Sequence, residues 1–264
     1  MSAGGDYVAT LPMYDWPEVR AATDRFWDCL RDSLSRFGYP APGGLERSAC
    51  DAELWRHPGL MLGQTCGLPL VSGLMDEVSL IGTPAYDIEC GAGSYYSVIV
   101  VHEHSSISSV AGLRGTCLAY NGLTSQSGYA ALAYHLRGLA VAAPVFAEKR
   151  VSGSHRQSIR MVAEKKADVA CIDAVSWQLA LRHEQTANAL RILAVTEATP
   201  GLPLICAKGQ GWSPDTMHIA VIEAMAALDP DDSDALLLTG FAQTKISDYS
   251  VIDRRSRDIE NLTL

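Results

Sequence analysis

The sequence lacks the features that mark a chain for a membrane, for nucleic acid or for a disulfide-stabilised fold. No apolar run approaches the about 20 residues that a membrane helix needs. The 264 residues carry a net charge of −9 without a basic patch. The seven cysteines are scattered, odd in number and form no C-x-x-C pair. These absences argue against membrane insertion, nucleic-acid binding, a disulfide framework and a zinc site.

Common catalytic and cofactor motifs are also missing. The chain has no G-x-S-x-G, no H-E-x-x-H and no G-x-G-x-x-G after a predicted strand, so no particular reaction is indicated. We predict neither a cofactor nor a metal. The N-terminus has no basic segment followed by an apolar run, so no secretory signal is recognised. The sequence as it stands therefore predicts a cytoplasmic protein, whereas a trimmed mature form would be periplasmic.

Short apolar strands alternate with amphipathic helices, which is typical of an α/β fold with mostly parallel sheets. The longest predicted helix uses Asp15 as its N-cap and continues to residue 37, with apolar residues at spacings of three and four. The pattern restarts near residue 105 without a Gly/Ser-rich linker, which indicates two lobes rather than two tethered domains. Helices without new strands, one of them beginning at residue 231, are predicted to complete the chain. Strands are predicted over residues 7–11, 60–62, 78–82, 95–102, 116–120, 145–146, 168–172 and 190–196.

The most informative stretch covers residues 120–136, where a strand leads through a hydroxyl-rich loop into an amphipathic helix. Thr124, Ser125 and Ser127 lie at or just before the predicted helix start. Hydroxyls there cap backbone N–H groups in many proteins. The same geometry also binds anions, because the N–H groups and the positive helix end point toward them. Both interpretations, capping and anion binding, are open at this point.

Other candidates follow predicted strands. Asp173 lies at the carboxyl end of one strand, where α/β sheets bind ligands, and Gln64 with Thr65 lies in a loop after another. His155 precedes a second amphipathic segment and either binds ligand or caps its helix. Tyrosines such as Tyr14 commonly serve in packing alone.

Six short motifs occur in an order that resembles the substrate-binding proteins of phosphate, phosphite and phosphonate ABC transporters. The resemblance spans about residues 7–250, and no single motif is specific. The motifs are LGQTCG (62–67), GTPAYD (82–87), TSQSGY (124–129), GSH (153–155, with Ser158), ADVACID (167–173) and PGLP (200–203).

The resemblance implies a two-lobed type 2 periplasmic-binding-protein fold, with two mixed, mostly parallel sheets joined by two crossover strands. Lobe 1 would comprise residues 1–102 and 197–264, and lobe 2 residues 103–196. Ligand would bind in the cleft between the lobes, with closure around it. The crossovers are expected near residues 98–104 and 190–196.

The resemblance also implies roles for individual residues. Hydroxyls at the helix start, with His155, would hold phosphoryl-type oxygens. Asp173 would meet the ammonium group of an aminophosphonate. Tyr14 and Tyr86 would contact the ligand from the opposite lobe. The complete set of predicted ligand-binding residues is Tyr14, Gln64, Thr65, Tyr86, Thr124, Ser125, Ser127, His155 and Asp173.

The resulting hypothesis is a solute-binding protein for phosphonate, phosphate or a related oxyanion. Its partners would be a small anionic ligand and, if the chain is exported, an ABC permease. The alternative is a cytosolic enzyme or ligand sensor that reuses the fold, for example a lyase of the menaquinone-pathway type such as chorismate dehydratase. His155 and Asp173 are the only acid–base candidates for such an enzyme, and neither has an identifiable catalytic partner in the sequence.

Overall fold

The computed structural model describes residues 7–139, 145–260, 262 and 264. They divide into two compact units, Met1–Ser94 with Pro200–Tyr249, and Tyr95–Thr199 with Ser250–Leu264. The strands are β1 (Val8–Thr10), β2 (Leu60–Gln64), β3 (Val78–Tyr86), β4 (Ser94–Tyr95), β5 (Ser97–His102), β6 (Cys117–Tyr120), β7 (Glu148–Val151), β8 (Val169–Asp173), β9 (Leu190–Val195), β10 (Thr199–Pro200), β11 (Leu204–Ala207) and β12 (Leu238–Ala242).

The helices complete this inventory. The α-helices are α1 (Arg20–Arg36), α2 (Asp51–Leu54), α3 (Gly67–Pro69), α4 (Ala131–Gly138), α5 (His155–Ala163), α6 (Ala174–His183), α7 (Pro214–Ala227), α8 (Pro230–Ala235) and α9 (Ser250–Asp258). Two π-helical segments (Leu70–Leu74, Gln126–Ala130) and three 3₁₀ turns (Val110–Leu113, Gln185–Ala189, Ile246–Tyr249) lie between them. No helix within these described ranges is long and apolar enough to cross a membrane.

The first unit is built on a five-stranded sheet in the order β1-β2-β11-β3-β12. β1 and β2 are parallel, and β11 runs antiparallel to both β2 and β3. Helices α1 and α7 pack against each other. The apolar stripe of α1, with Trp27, Leu30 and Leu34 almost fully buried, accounts for this packing.

The start of α1 differs from the prediction. Its N-cap is Val19, which makes no side-chain cap hydrogen bond, and the helix begins at Arg20. Asp15 instead accepts hydrogen bonds from Arg47, whose Nε lies 2.5 Å from its Oδ2. The carboxylate is used in an ion pair rather than in a cap, so the prediction that Asp15 caps this helix was wrong.

The second unit is built on a sheet in the order β7-β6-β8-β5-β9. β6 is parallel to both of its neighbours, β7 and β8. β5 is antiparallel to β8 and to β9, so it alone runs against the other four strands. Ile99 and Val101 of β5 belong to the apolar core of this unit, together with Leu118, Leu132 and Leu136.

Several elements differ from the sequence-based assignment. Residues 97–102, assigned from sequence to lobe 1, form an inner strand of the second unit's sheet, and α9 also belongs to that unit. The strand predicted at residues 145–146 is instead β7, three residues later. The C-terminal part does contain new strands, β11 and β12, and the helix predicted from residue 231 ends at Ala235. The crossovers predicted near residues 98–104 and 190–196 fall on β5 and β9, which both lie within the second unit and pair with each other. The chain instead changes unit at Ser94/Tyr95, in β4, and at Thr199/Pro200, in β10.

Candidate functional site

Three helical segments begin at one edge of the second unit's sheet. β6, β7 and β8 are parallel, and their carboxyl ends lead toward the helical segments that begin at Gln126, His155 and Ala174. Because parallel strands end at the same edge, the three helix starts lie along that edge. Each start presents backbone N–H groups that have no partner within the helix. This edge therefore has the geometry of an anion-binding site.

The first of these helix starts is shaped by Ser125. Its backbone is extended, and its Oγ accepts a hydrogen bond of 2.9 Å from the N–H of Gly128. A π-helical segment, Gln126–Ala130, follows and continues directly into α4. Ser125 thus caps the helix, which confirms its predicted position at the helix start. Thr124, one residue earlier, is exposed.

Ser127 and His155 come together, although 28 positions separate them in sequence. Ser127 Oγ lies 2.8 Å from His155 Nε2. Gly153 adopts a φ of +83°, a conformation that favours glycine, and brings the chain into the start of α5. Ser154 caps that helix by accepting a hydrogen bond of 3.1 Å from the Gln157 N–H. The cap of α5 is therefore Ser154, and the His155 ring is directed toward Ser127.

The His155 ring is uncharged at neutral pH. Burial lowers its pKa from 6.5 to about 4, an effect that the nearby backbone of Cys171 opposes only in part. The residue as a whole is half-buried. A neutral imidazole paired with a hydroxyl binds through hydrogen bonds rather than through charge.

Asp173 is buried at the end of β8 and caps α6. Its Oδ1 accepts a hydrogen bond of 2.9 Å from the Ser176 N–H, and the residue is only 2% exposed. This arrangement brings a carboxylate to the same sheet edge as the Ser127–His155 pair. The capping role is observed, and the predicted contact with a ligand's ammonium group stays a prediction.

Asn121 is a residue of this edge for which the sequence analysis predicted no role. It follows directly after β6, and its Oδ1 is buried and has no hydrogen-bond partner among the residues that the structure describes. A Cβ at Gly128 would overlap Asn121 Oδ1, and it would lie 2.9 Å from Asn121 Cγ and 3.2 Å from His155 Cε1. The side chain therefore packs against the helix start. Its position at a strand's carboxyl end was the signal that could have identified it.

The first unit brings together three of its four predicted residues. The rings of Tyr14 and Tyr86 meet edge to face, with centroids 5.0 Å apart. Gln64 Nε2 donates a hydrogen bond of 2.9 Å to the Tyr86 hydroxyl. These three side chains line a cavity of ≈ 30 Å³, together with apolar residues that include Phe26 and Leu236.

Thr65, the fourth predicted residue of this unit, does not line that cavity. It is fully buried, and its Oγ1 donates a hydrogen bond of 3.3 Å to the Cys66 carbonyl. Its N–H donates to the Pro203 carbonyl. Its contacts are thus with the backbone around it. Across the part of the chain that the structure describes, no group of three or more His, Cys, Asp or Glu side chains is placed to hold a metal ion.

Comparison with known families identifies the chain. Residues 65–253 match the family of periplasmic substrate-binding proteins of phosphonate ABC transporters. The chain belongs to this family. No curated protein is significantly similar to this substrate-binding protein in direct sequence comparison.

Solved structures share the fold of this binding protein at low sequence identity. PhnD1 of Prochlorococcus marinus in complex with methylphosphonate gives a TM-score of 0.72 at 18% identity, covering 97% of this chain and 99% of its own. A binding protein component of an ABC phosphonate transporter from Pseudomonas aeruginosa gives a TM-score of 0.72 at 16% identity, and the match covers 96% of this chain and 86% of that one. XAC2383 of Xanthomonas citri bound to ATP gives a TM-score of 0.71 at 16% identity, and the match covers 97% of this chain and 98% of that one. The predicted periplasmic-binding-protein fold is thereby confirmed.

Proposed function

We propose that this protein binds a phosphonate, phosphate or related phosphorus oxyanion at the helix starts of its second unit. Family membership supports the class of ligand. The observation that carries the assignment is the contact of 2.8 Å between Ser127 and His155, which joins two of the three helix starts at one sheet edge. Neither the family nor the similar structures favour the enzymatic alternative.

The chemistry of the helix starts suits a tetrahedral oxyanion. Helix N-termini provide backbone N–H donors and a partial positive charge. Ser127 adds a hydroxyl, and His155 orients that hydroxyl through Nε2. The oxygens of a phosphonate can accept several of these hydrogen bonds together. Thr124 and Ser125 remain predicted contacts of the same group.

The first unit contributes its own candidate contacts. We keep Tyr14, Gln64 and Tyr86 as candidate ligand contacts because the two rings meet and Gln64 holds the Tyr86 hydroxyl in place. The cavity that they line has room for about one water molecule. Thr65 has weaker support, since its hydrogen bonds are with neighbouring backbone groups.

The assignment is tested by titration calorimetry with methylphosphonate, phosphite and phosphate. Ser127→Ala and His155→Ala are each expected to weaken binding about ten- to a hundredfold, because a hydrogen bond to a charged group contributes roughly 1.5–3 kcal/mol. The thermal midpoint of each variant, measured without ligand, reports whether it remains folded.

Two matched controls lie away from the helix starts. Ser213→Ala removes the serine cap of α7 in the first unit, so it should lower stability by about 1 kcal/mol without changing affinity. His104→Ala removes a histidine whose side chain is 77% exposed. Unchanged affinity in both Ser127→Ala and His155→Ala, in folded protein, would contradict the assigned site.

The family assignment extends the proposal to transport. Members of the family are the substrate-binding components of phosphonate ABC transporters. In this role the protein would carry its oxyanion to an ABC permease.

A further inference from the structure

The charges around the Ser127–His155 pair determine what charge a bound anion can carry. This inference rests on the function proposed above. His155 is neutral at pH 7 because burial lowers the pKa of its ring to about 4. The pair therefore presents a hydroxyl and an imidazole, and no full positive charge.

The arginines that follow His155 on α5 both pair with Glu184. Arg156 follows His155, and its Nε donates a hydrogen bond of 2.8 Å to Glu184 Oε2. Arg160, about one helical turn later, donates to the same oxygen over 2.8 Å. Arg156 also donates to the His183 carbonyl. Both guanidinium groups thus serve the contact between α5 and Glu184.

Asp173 adds negative charge at the same edge. It lies two residues after Cys171 on β8, so the two side chains are on the same face of the strand. The backbone of Cys171 lies near the His155 ring, and burial raises the pKa of the Cys171 thiol to about 12. The thiol is therefore neutral, and Asp173 is the acidic side chain on this face of β8.

Other titratable or charged groups on the elements that pack against α5 do not change this balance. Three of these groups lie at the opposite edge of the sheet. His102 ends β5, Arg191 is the second residue of β9, and Cys117 begins β6. Arg191 donates hydrogen bonds to the Ser105 and Ile107 carbonyls there. Arg182 and His183 are in the last turn of α6, distant from its Asp173-capped start.

A sum over the helix ends gives the charge that the site can balance. Each helix N-terminus is equivalent to roughly half a positive charge. The starts at Gln126 and His155 together supply about one, whereas Asp173 already occupies the start of α6. One negative charge on the ligand is compensated, but a second is not, and removing an uncompensated charge from water costs several kcal/mol.

We infer that the second unit selects oxyanions that carry a single negative charge, such as a hydrogen phosphonate or a phosphonate monoester, over the doubly charged forms of phosphonate and phosphate. Hydrogen bonds from neutral groups hold the anion, and the Asp173 carboxylate disfavours its second ionisation.

The test compares methylphosphonate with its monomethyl ester by titration calorimetry between pH 6 and pH 9. Methylphosphonate loses its second proton within this range, whereas the ester carries one charge throughout. The Kd of methylphosphonate is expected to rise toward tenfold per pH unit above its second ionisation, while the Kd of the ester stays constant. A Kd for methylphosphonate that is constant or falls with rising pH overturns the inference.

A variant separates the electrostatic cause from other effects. Asp173→Asn keeps a good N-cap residue but removes the charge. It is expected to tighten the binding of methylphosphonate several-fold more at pH 9, where the ligand is doubly charged, than at pH 6. An unchanged ratio of the two Kd values overturns the role of Asp173. If neither compound binds at any pH, the proposed function itself fails, which is distinct from failure of charge selection.

Discussion

Replacing Gly128 with alanine tests how the anion site is assembled. The added Cβ would overlap Asn121 Oδ1, lie 2.9 Å from Asn121 Cγ and approach His155 Cε1 to 3.2 Å. The Asn121 side chain would have to move, and with it the support of the helix start. Overpacking of this kind costs roughly 1–3 kcal/mol. The higher helix propensity of alanine offsets about 1 kcal/mol of that cost.

Gly138→Ala is the matched control, since Gly138 ends the same continuous helical run and a Cβ there meets no atom of the described residues within 4 Å. Both substitutions gain helix propensity, so the difference in stability between the two variants isolates the overlap with Asn121. We expect Gly128→Ala to be about 1–3 kcal/mol less stable than Gly138→Ala in urea unfolding. It should also bind methylphosphonate more weakly, whereas Gly138→Ala should bind as the parent protein does.

The Gly128→Ala substitution can also be made in the Asn121→Ala variant, which lacks the group that the new Cβ would overlap. In Asn121→Ala protein the amide is gone, so Gly128→Ala should cost less, and the double-mutant cycle should show a coupling of about 1–3 kcal/mol. If Gly128→Ala is as stable as Gly138→Ala in the parent background, the close packing of Asn121 on this helix start is refuted.

Two further predictions concern stability. Burial opposes ionisation of Glu184, but hydrogen bonds from Arg156 and Arg160 outweigh it and lower its pKa from 4.5 to about 2. Glu184→Gln should therefore lose about 2 kcal/mol at pH 7, after allowance for the partly exposed arginines. Because the folded-state pKa is depressed, the difference in unfolding free energy between the parent and Glu184→Gln should shrink as pH falls from 4.5 toward 2. Urea unfolding at pH 7 and pH 3 measures this difference. An equal loss of stability at both pH values would contradict the ion pair. Tyr249→Phe removes a buried hydroxyl that donates to the Gly201 carbonyl over 3.0 Å, which should lower the unfolding free energy by about 1–3 kcal/mol. A thermal midpoint equal to that of the parent would show that this hydrogen bond contributes nothing.

The sequence by itself determined the fold class and the family. Alternation of strands and helices indicated an α/β fold, and six short motifs indicated the binding-protein family that residues 65–253 match. It also placed a helix start at residues 124–128, because hydroxyls before an amphipathic segment are a local capping signal. Local signals of this kind depend on a few neighbouring residues, so a sequence displays them directly.

Only the tertiary structure decided which residues meet. The contact of Ser127 with His155 depends on the parallel placement of β6 and β7, and the packing of Asn121 depends on the absence of a Cβ at Gly128. The use of Asp15 by Arg47 likewise follows from a contact distant in sequence. The structure also assigned residues 97–102 to the second unit, since their pairing with β8 and β9 involves strands about 70 or more positions later. Strand pairing and charge neutralisation are long-range interactions, and periodicity along the chain does not encode their partners.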